Sequence, residues 1–373
     1  MNQEFIMAID QIAKSKGINK EKLIDAIKQS IEVACKKHFG INTASKQNLK
    51  IDVDEHKGDV KVFATKTIVE DDEVMNELLE IGVTEARKLN AHVQLGDVID
   101  VEITPKNFGR IAAQNAKQVV IQKIKEAERQ MVYEEYSVKL NDIVKGKVLR
   151  KEKNGYIVQL DFTEASLPLT EAMPTENLEA QMEQGEGMSD YKAFYLLNVK
   201  DFNKNEGKLE VKSKNAGAQV IVSRTHPELV KRLFEQEVVE IKDGTVVIKS
   251  IAREAGSRTK IAVYSNDPQV DPVGACVGEK GKRINTIVDE LCGEKIDVVR
   301  WQEDPKEFIK EALSPAKVID VELMENEGER GAKVLVPANI LTLAIGKGGQ
   351  NVRLAAKLTG WKIDIKSVQE ENA

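Results

Sequence analysis

The chain has 373 residues, too many for one ordinary core, which implies roughly two to four domains. It is 41% hydrophobic and 31% charged, has no run near the about 18 consecutive apolar residues of a membrane span, and opens Met1-Asn2-Gln3-Glu4 without a basic or long apolar stretch. These features exclude a membrane or secreted class and lead us to expect a soluble, cytoplasmic protein; the formal charge of −6 gives no global signature of a nucleic-acid binder, so any such role must rest on local sites.

Four stretches follow in order. Residues 1–135 open with helical patterns at Glu4–Ser15 and Lys20–Phe39. Alternating strand patterns occupy Leu49–Val53 and Val60–Ile68, followed by a short helix over Val83–Asn90 and a strand at Val98–Ile103. A long helix from Arg110 to Glu135 closes the stretch. Ile111, Val119, Val120, Ile124, Ala127 and Met131 give it an apolar face, and Lys117, Lys123, Lys125 and Arg129 lie mostly outside that face, as a solvated surface.

From 136 to 225 the pattern changes to short β segments. These are Val144–Val148, Gly155–Val158, Ala193–Val199, Leu209–Val211 and Gln219–Val222. Short strands separated by turn signals predict a small barrel. Between them, Glu171–Asp190 carries six carboxylates (Glu171, Glu176, Glu179, Glu183, Glu186, Asp190) and no Lys or Arg. Without a repeating ligand spacing this run is expected to be a solvated loop and helix and not a metal site.

The remainder repeats itself. Residues 226–304 hold a helix at Pro227–Glu237, strands at Thr245–Ile251 and Thr259–Tyr264, then a helix–turn–helix–strand set. Residues 305–373 hold a helix at Pro305–Leu313, strands at Val318–Leu323 and Ala332–Val336, then the same set. Hairpin turns fall at Glu254-Ala255-Gly256 and Glu327-Gly328. The central turns are Gly278-Glu279-Lys280-Gly281 and Gly346-Lys347-Gly348-Gly349, 68 residues apart. After the first, Ile284, Ile287, Val288 and Leu291 have helical spacing; after the second, Val352, Ala355 and Ala356 repeat it. The strand openings Lys295-Ile296-Asp297 and Lys362-Ile363-Asp364 lie 67 residues apart, so one residue was gained or lost between the copies. Each unit reads α-β-β-α-α-β, a three-stranded sheet backed by helices.

Glycine at these turns lets the backbone bend sharply and approach a ligand closely. The helix that starts there presents unpaired N–H groups and the positive end of its dipole, which attract a phosphate. Lys280, Lys282 and Arg283 around the first turn, and Lys347 and Arg353 around the second, add cationic donors, opposed only by Glu279. Val277 and Ile345 would wall a groove for bases. The chain contains no GxxxxGK[ST] loop, and the turns follow helices, not the strand that a GxGxxG fingerprint requires. Plain helix–helix connections are the alternative, against which stands the matched basic pair.

The α-β-β-α-α-β order with GxxG between the central helices resembles the prokaryotic type (type II) of KH domain. The phrases Val222-Ser223-Arg224-Thr225-His226-Pro227, Asp271-Pro272-Val273-Gly274-Ala275-Cys276-Val277-Gly278 and Gly349-Gln350-Asn351-Val352-Arg353-Leu354-Ala355 resemble the NusA family of bacterial transcription factors, as do Gln114–Val120 and Lys125–Arg129 of the long helix. The resemblance implies a multidomain α+β protein in four parts. These are an α+β RNA polymerase-binding domain with its linking helix (1–135), an S1-type OB barrel (136–225) and two tandem KH domains (226–304 and 305–373). It implies a non-catalytic, cofactor-free elongation factor that binds RNA polymerase and nascent single-stranded RNA. Such a factor modulates pausing, termination and antitermination together with other elongation and antitermination factors, and is expected to act as a monomer. The RNA-binding positions carried over are Gly278, Glu279, Lys280, Gly281, Lys282, Arg283, Gly346, Lys347, Gly348, Gly349, Gln350, Asn351 and Arg353. Each KH domain clamps about four nucleotides, and linking two raises avidity. In the barrel, Tyr156 with Lys147, Arg150 and Lys151 is the candidate base-stacking set; in a chain only 5% aromatic, Tyr156 as barrel core is the competing reading. The chain stops soon after the second unit, so the acidic repeats of some relatives are expected to be absent.

Enzyme readings find little support. His38, His56, His92 and His226 are dispersed outside any HExxH or CxxC-type pattern, there is no GxSxG elbow, and Cys35, Cys276 and Cys292 suit reduced thiols. A phosphorolytic ribonuclease would carry a large core before its KH unit, and the roughly 135 residues ahead of this barrel are too few. A ribosomal or translational RNA-binding protein would share the KH chemistry without binding polymerase.

Overall fold

The computed structural model describes residues 20–39, 49–54, 60–104, 108–179, 191–201, 220–326 and 329–368, with positions 7, 10, 11, 13 and 14. The expected strand Leu209–Val211 and turn Glu327-Gly328, and all but a few positions of the helix Glu4–Ser15, lie outside these residues. The chain divides into two compact units, Met1–Met131 and Val132–Ala373.

In the first unit, α1 (Lys20–His38) turns Leu23, Ile27, Ile31 and Cys35 inward at four-residue spacing, the stripe a helix needs to cover a sheet. They pack on β1 (Leu49–Val53) and β2 (Val60–Val69), which pair antiparallel. β3 (Glu80–Gly82) runs parallel to β2 and β4 (Val98–Glu102) antiparallel to it, completing a four-stranded sheet. α2 (Val83–Leu89) buries Ala86 in a smaller core with Ile68, Ile81 and Val93. In the long helix α3 (Phe108–Ser137), Ala116 and Val120 join the main core, and Lys117, Lys125 and Arg129 are exposed as expected. Met131, expected on the apolar face, is 49% exposed. Burial pushes the Cys35 thiol up to about 12.

The second unit begins with a closed barrel. Its strands are β5 (Ile143–Glu152), β6 (Gly155–Gln159), β7 (Glu164–Pro168), β8 (Tyr191–Val199) and β9 (Val220–Ser223), in the order β5-β6-β7-β9-β8. β7, absent from the expected strands, fills one place in the ring; only Ala165 and Leu167 mark its inward face. β5 reaches both neighbours, pairing β8 through Ile143–Lys147 and β6 through Lys147–Glu152, with a bulge after Val148. Val144, Val148, Val158, Leu167, Phe194 and Val222 fill the interior. Gly146 sits where a Cβ would come within 2.6 Å of Val158 and 2.8 Å of Leu160, so the strand closes on its neighbour only as glycine.

The two repeated units follow with one topology. The first has α4 (Pro227–Glu237), α5 (Val239–Lys242), β10 (Val246–Glu254), β11 (Arg258–Ser265), α6 (Pro272–Val277), α7 (Lys282–Glu290) and β12 (Lys295–Arg300). The second has α8 (Pro305–Ala312), β13 (Asp320–Asn326), β14 (Glu329–Pro337), α9 (Leu341–Ile345), α10 (Gln350–Thr359) and β15 (Lys362–Val368). In each sheet the first pair of strands is antiparallel and the second parallel. The expected hairpin at Glu254–Gly256 forms, with Gly256 at φ 77°. The odd residue between the copies arises between the central turn and the last strand, as the net of a second central helix one residue longer in the second copy and a connection two residues shorter. There the first unit uses Leu291–Glu294, with Cys292 at φ 55° and Gly293 at φ 87°, and the second uses only Gly360 and Trp361.

These modules share cores. Barrel residues Ala193 and Tyr195 pack with Leu229, Phe234, Ile261 and Leu291 of the first repeated unit, and the Tyr195 ring stacks on His226 at 4.5 Å. The face of the first sheet that carries Ala252, Ala262 and Val299 packs against Phe308, Ile309, Leu354 and Ala355 of the second unit.

Candidate nucleic-acid interface

Each central turn grows from a short helix that has nowhere else to go. Asp271 caps α6 by accepting from the Gly274 N–H at 2.9 Å, with Pro272 at the first helical position. The helix stops at Gly278 (φ 74°, ψ 176°), a region open essentially to glycine alone. Lys280 (φ 50°, ψ 28°) and Gly281 (φ 75°, ψ 15°) then turn left-handed and launch α7. The second copy traces the same path through Gly346 (φ 76°, ψ 170°), Gly348 (φ 59°, ψ 25°) and Gly349 (φ 75°, ψ 13°) into α10. Neither α7 nor α10 has a side-chain cap bond at its start, which leaves first-turn N–H groups facing outward at the positive end of each helix.

The predicted cations divide into two groups. The side chains of Lys280, Lys282 and Lys347 are exposed and engage no described residue, and Glu279 is exposed beside them. Arg283 faces inward: its Nη1 donates to the Ala275 carbonyl at 2.7 Å and to both Glu240 oxygens, at 3.0 and 3.3 Å. Asn351, at the matching place in the second unit, is 5% exposed and donates to the Ala344 and Leu313 carbonyls, both at 3.0 Å. Each side chain thus returns to the helix before its turn. Each also fills the space where a Cβ on the first glycine would fall, 2.8 Å from Arg283 Cγ at Gly278 and from Asn351 at Gly346.

Arg353 and Gln350 reach across to the first unit. Arg353 donates through Nε and Nη2 to Glu254 at 2.6 and 3.1 Å, and through Nη1 to the Gly348 carbonyl at 3.0 Å. Gln350 donates to Glu254 at 2.8 Å and to the Ser257 hydroxyl at 2.7 Å. The Arg353 guanidinium, with Gln350, holds the Glu254 carboxyl below its usual range. Beside this junction a cleft of 460 Å³ is lined by Arg258, Leu343, Gly346, Lys347, Gln350 and Asn351. Val277 is half-buried at the first turn, while Ile345 and Leu343 are exposed at the second.

The barrel set is held by carboxylates. Arg150 makes paired bonds to Glu164 at 2.8 and 3.0 Å, and Lys151 donates to Glu179 at 2.5 Å. Tyr156 is half-buried against the barrel core with its hydroxyl 3.5 Å from Glu179, and Lys147 is half-buried on β5.

The acidic run departs from its expected solvated state. Residues 180–190 lie outside the described residues, but Glu171 accepts from Ser223 and Thr225 at 2.5 and 2.9 Å, and Glu176 is buried. The cause is Arg224, a fully buried guanidinium that no local pattern revealed. It donates to both Glu176 oxygens at 3.2 Å, to the Ala193 carbonyl at 2.7 Å, and to the Glu290 carboxylate and carbonyl at 2.8 Å. Burial pushes the Glu176 carboxyl up, and the charges of Arg224 and Lys192 more than reverse that, leaving it below its usual value. Two further buried cations are paired, the first within the first repeated unit and the second across to its neighbour. Arg253 pairs with Glu294 at 2.9 Å, and Lys260 donates to the Ser314 carbonyl at 2.9 Å. Among the described residues no cluster of His, Cys, Asp or Glu is arranged to hold a metal, and no helix is long and apolar enough to cross a membrane.

Known proteins resemble this chain over most of its length. Residues 4–130 match the family model for the NusA N-terminal domain, residues 224–301 that for the NusA-like first KH domain, and residues 305–373 that for the NusA-like second KH domain. A transcription termination/antitermination protein NusA from Halalkalibacterium halodurans is 49% identical over 99% of this chain and 90% of its own length. Its namesake from Bacillus subtilis is 48% identical over 98% and 91%. The solved N-terminal domain of NusA from B. subtilis is 43% identical, over 35% of this chain and 99% of its own, with a TM-score of 0.30. With the domain models in chain order and relatives this similar over nearly their full lengths, the chain belongs to the NusA family.

Proposed function

We propose that this protein is a transcription termination/antitermination factor that grips nascent single-stranded RNA at its two GxxG turns while residues 1–135 engage RNA polymerase. The observation that carries the RNA reading is the matched pair of turns. Both have the same left-handed path, both open helices without side-chain caps, and both present lysines engaged by no described residue, Lys280 and Lys282 at one and Lys347 at the other. Backbone N–H groups and mobile ammonium groups suit a phosphate backbone and carry no sequence code, as expected of a clamp. In this reading Gly278, Glu279, Lys280, Gly281, Lys282, Gly346, Lys347, Gly348 and Gly349 form the contact surface, and Arg283, Gln350, Asn351 and Arg353 support it from behind. The names of the H. halodurans and B. subtilis relatives support the assignment to termination and antitermination. The working division remains 1–135, 136–225, 226–304 and 305–373, in a cytoplasmic monomer without catalytic activity that works beside other elongation factors.

The test is a transcribing bacterial polymerase halted at RNA hairpins. Adding the protein should lengthen pauses, and replacing Glu279, Lys280, Lys347 and Gly348 with aspartate should weaken both single-stranded RNA binding and the pause response. Pause lifetimes that do not respond at saturating protein would overturn the transcription role. Co-purification of residues 1–135 with polymerase separates this role from that of a ribosomal RNA-binding protein.

A further inference from the structure

We propose that Glu254, on the hairpin of the first KH domain, is a positioning residue for the RNA clamp of the second, so that the second clamp is assembled by the first. This rests on the reading of the turns as RNA clamps. Three observations carry it. Arg353 uses Nε and Nη2 on Glu254 and Nη1 on the carbonyl of Gly348, an inner residue of the second turn. One guanidinium therefore joins the hairpin of one domain to the left-handed peptide of the other, in the fixed fork that arginine provides. Gln350, the first residue of α10, is held by Glu254 and Ser257 of the same hairpin. Glu254 is the more sheltered partner, its side chain 23% exposed against 48% for Arg353, and a charge-assisted bond in that setting orients more firmly than a neutral one.

The first turn lacks this arrangement. Counting from each first glycine, its counterpart of Gln350 is Lys282, whose side chain engages no described residue, and its counterpart of Arg353 is Asn285, an exposed amide. The first turn is braced within its own domain, through Arg283 to Glu240 and Ala275. A second line reinforces the dependence of the other turn. Lys260 of β11 donates to the Ser314 carbonyl, and the neighbouring Leu313 carbonyl receives Asn351, which fills the space beside Gly346. The duplicated clamps are therefore unequal, one self-contained and one conditional on its neighbour.

Full-length protein carrying Glu254→Ala or Glu254→Gln tests this. In the free protein, amide hydrogen exchange at residues 347–349 should accelerate in E254A, less so in E254Q, with residues 279–281 unchanged. Affinity for a single-stranded RNA long enough to span both clamps should fall about fivefold in E254A, the scale of a partly exposed ion-pair relay. That loss should persist when the first turn is disabled by E279D and K280D, and vanish when the second is disabled by K347D and G348D. If E254A leaves exchange at 347–349 and affinity unchanged, or weakens binding equally with the second turn disabled, the positioning role is overturned. If the aspartate pairs themselves leave RNA affinity unchanged, it is the clamp reading that fails.

Discussion

The third position of the two turns offers a controlled exchange. Lys280 and Gly348 have nearly the same conformation, φ 50°, ψ 28° and φ 59°, ψ 25°, and a Cβ built on Gly348 meets nothing within 4 Å. Gly348→Lys therefore costs only the left-handed backbone of a side-chain-bearing residue, about 1–2 kcal/mol. Reduced freedom of the unfolded chain returns about 0.4–1 kcal/mol of this, so a net loss near 1 kcal/mol is expected. Gly346→Ala is the contrasting change. It forces alanine to φ 76°, ψ 170° and puts its Cβ 2.8 Å from the backbone nitrogen of Asn351, a residue locked by two bonds. Strain and overlap together should exceed about 3 kcal/mol. Urea unfolding measures both. In RNA binding, G348K adds a cation at the phosphate position and should raise affinity at low salt, steepening the dependence of log K on log salt by about 0.7. If G348K destabilises as much as G346A, or leaves the salt slope unchanged, the description of the turn as an open phosphate cradle is wrong.

Other outcomes follow from the buried charges and thiols. Arg224→Met removes the only described guanidinium at Glu176 and leaves that carboxylate buried with Lys192 as its one remaining described cation; a loss of about 3–5 kcal/mol is expected in denaturant unfolding. Because the Glu176 carboxyl lies below its usual value of 4.5 in the folded state, its stabilisation is full above that value and fades as pH falls through the lowered one. Glu176→Gln should accordingly flatten the acid limb of a stability–pH curve. Burial pushes the Cys35 and Cys276 thiols up to about 12, so at pH 8 a thiol reagent should reach neither in native protein. The exposed Cys292 should label first, slowly, since burial and nearby Glu176 raise its thiol as well.

What the sequence made legible was whatever repeats or alternates locally. The helix Pro227–Glu237 forms over its expected span, and all six strands of the repeated units were placed to within a few residues. The turns were visible because glycine, lysine and the following helix stripe sit side by side. The work of the neighbouring side chains was not visible. Arg283 looks like a phosphate donor by spacing, yet its partner Glu240 is 43 residues away; Arg353 and Glu254 are 99 apart. Arginine's fork serves a phosphate or a carboxylate equally, and only the fold decides which it meets. The same limit hid Arg224, whose partner Glu176 turns part of an acidic, seemingly solvated run into an interior anchor, and β7, whose inward face carries only Ala165 and Leu167.

The shared face between the KH domains has one more consequence. Ala252, Ala262 and Val299 share one core with Leu354, Ala355 and Phe308, so, on the proposed clamp reading, the two turns would be held at a set separation and act as a fixed gauge. A flexible tether would let RNA segments at many separations engage both turns. A gauge admits only RNA whose intervening nucleotides match the span, and gives no avidity to a shorter spacer however well each end binds alone. Selectivity can then reside in the distance between contacts, without any base being read.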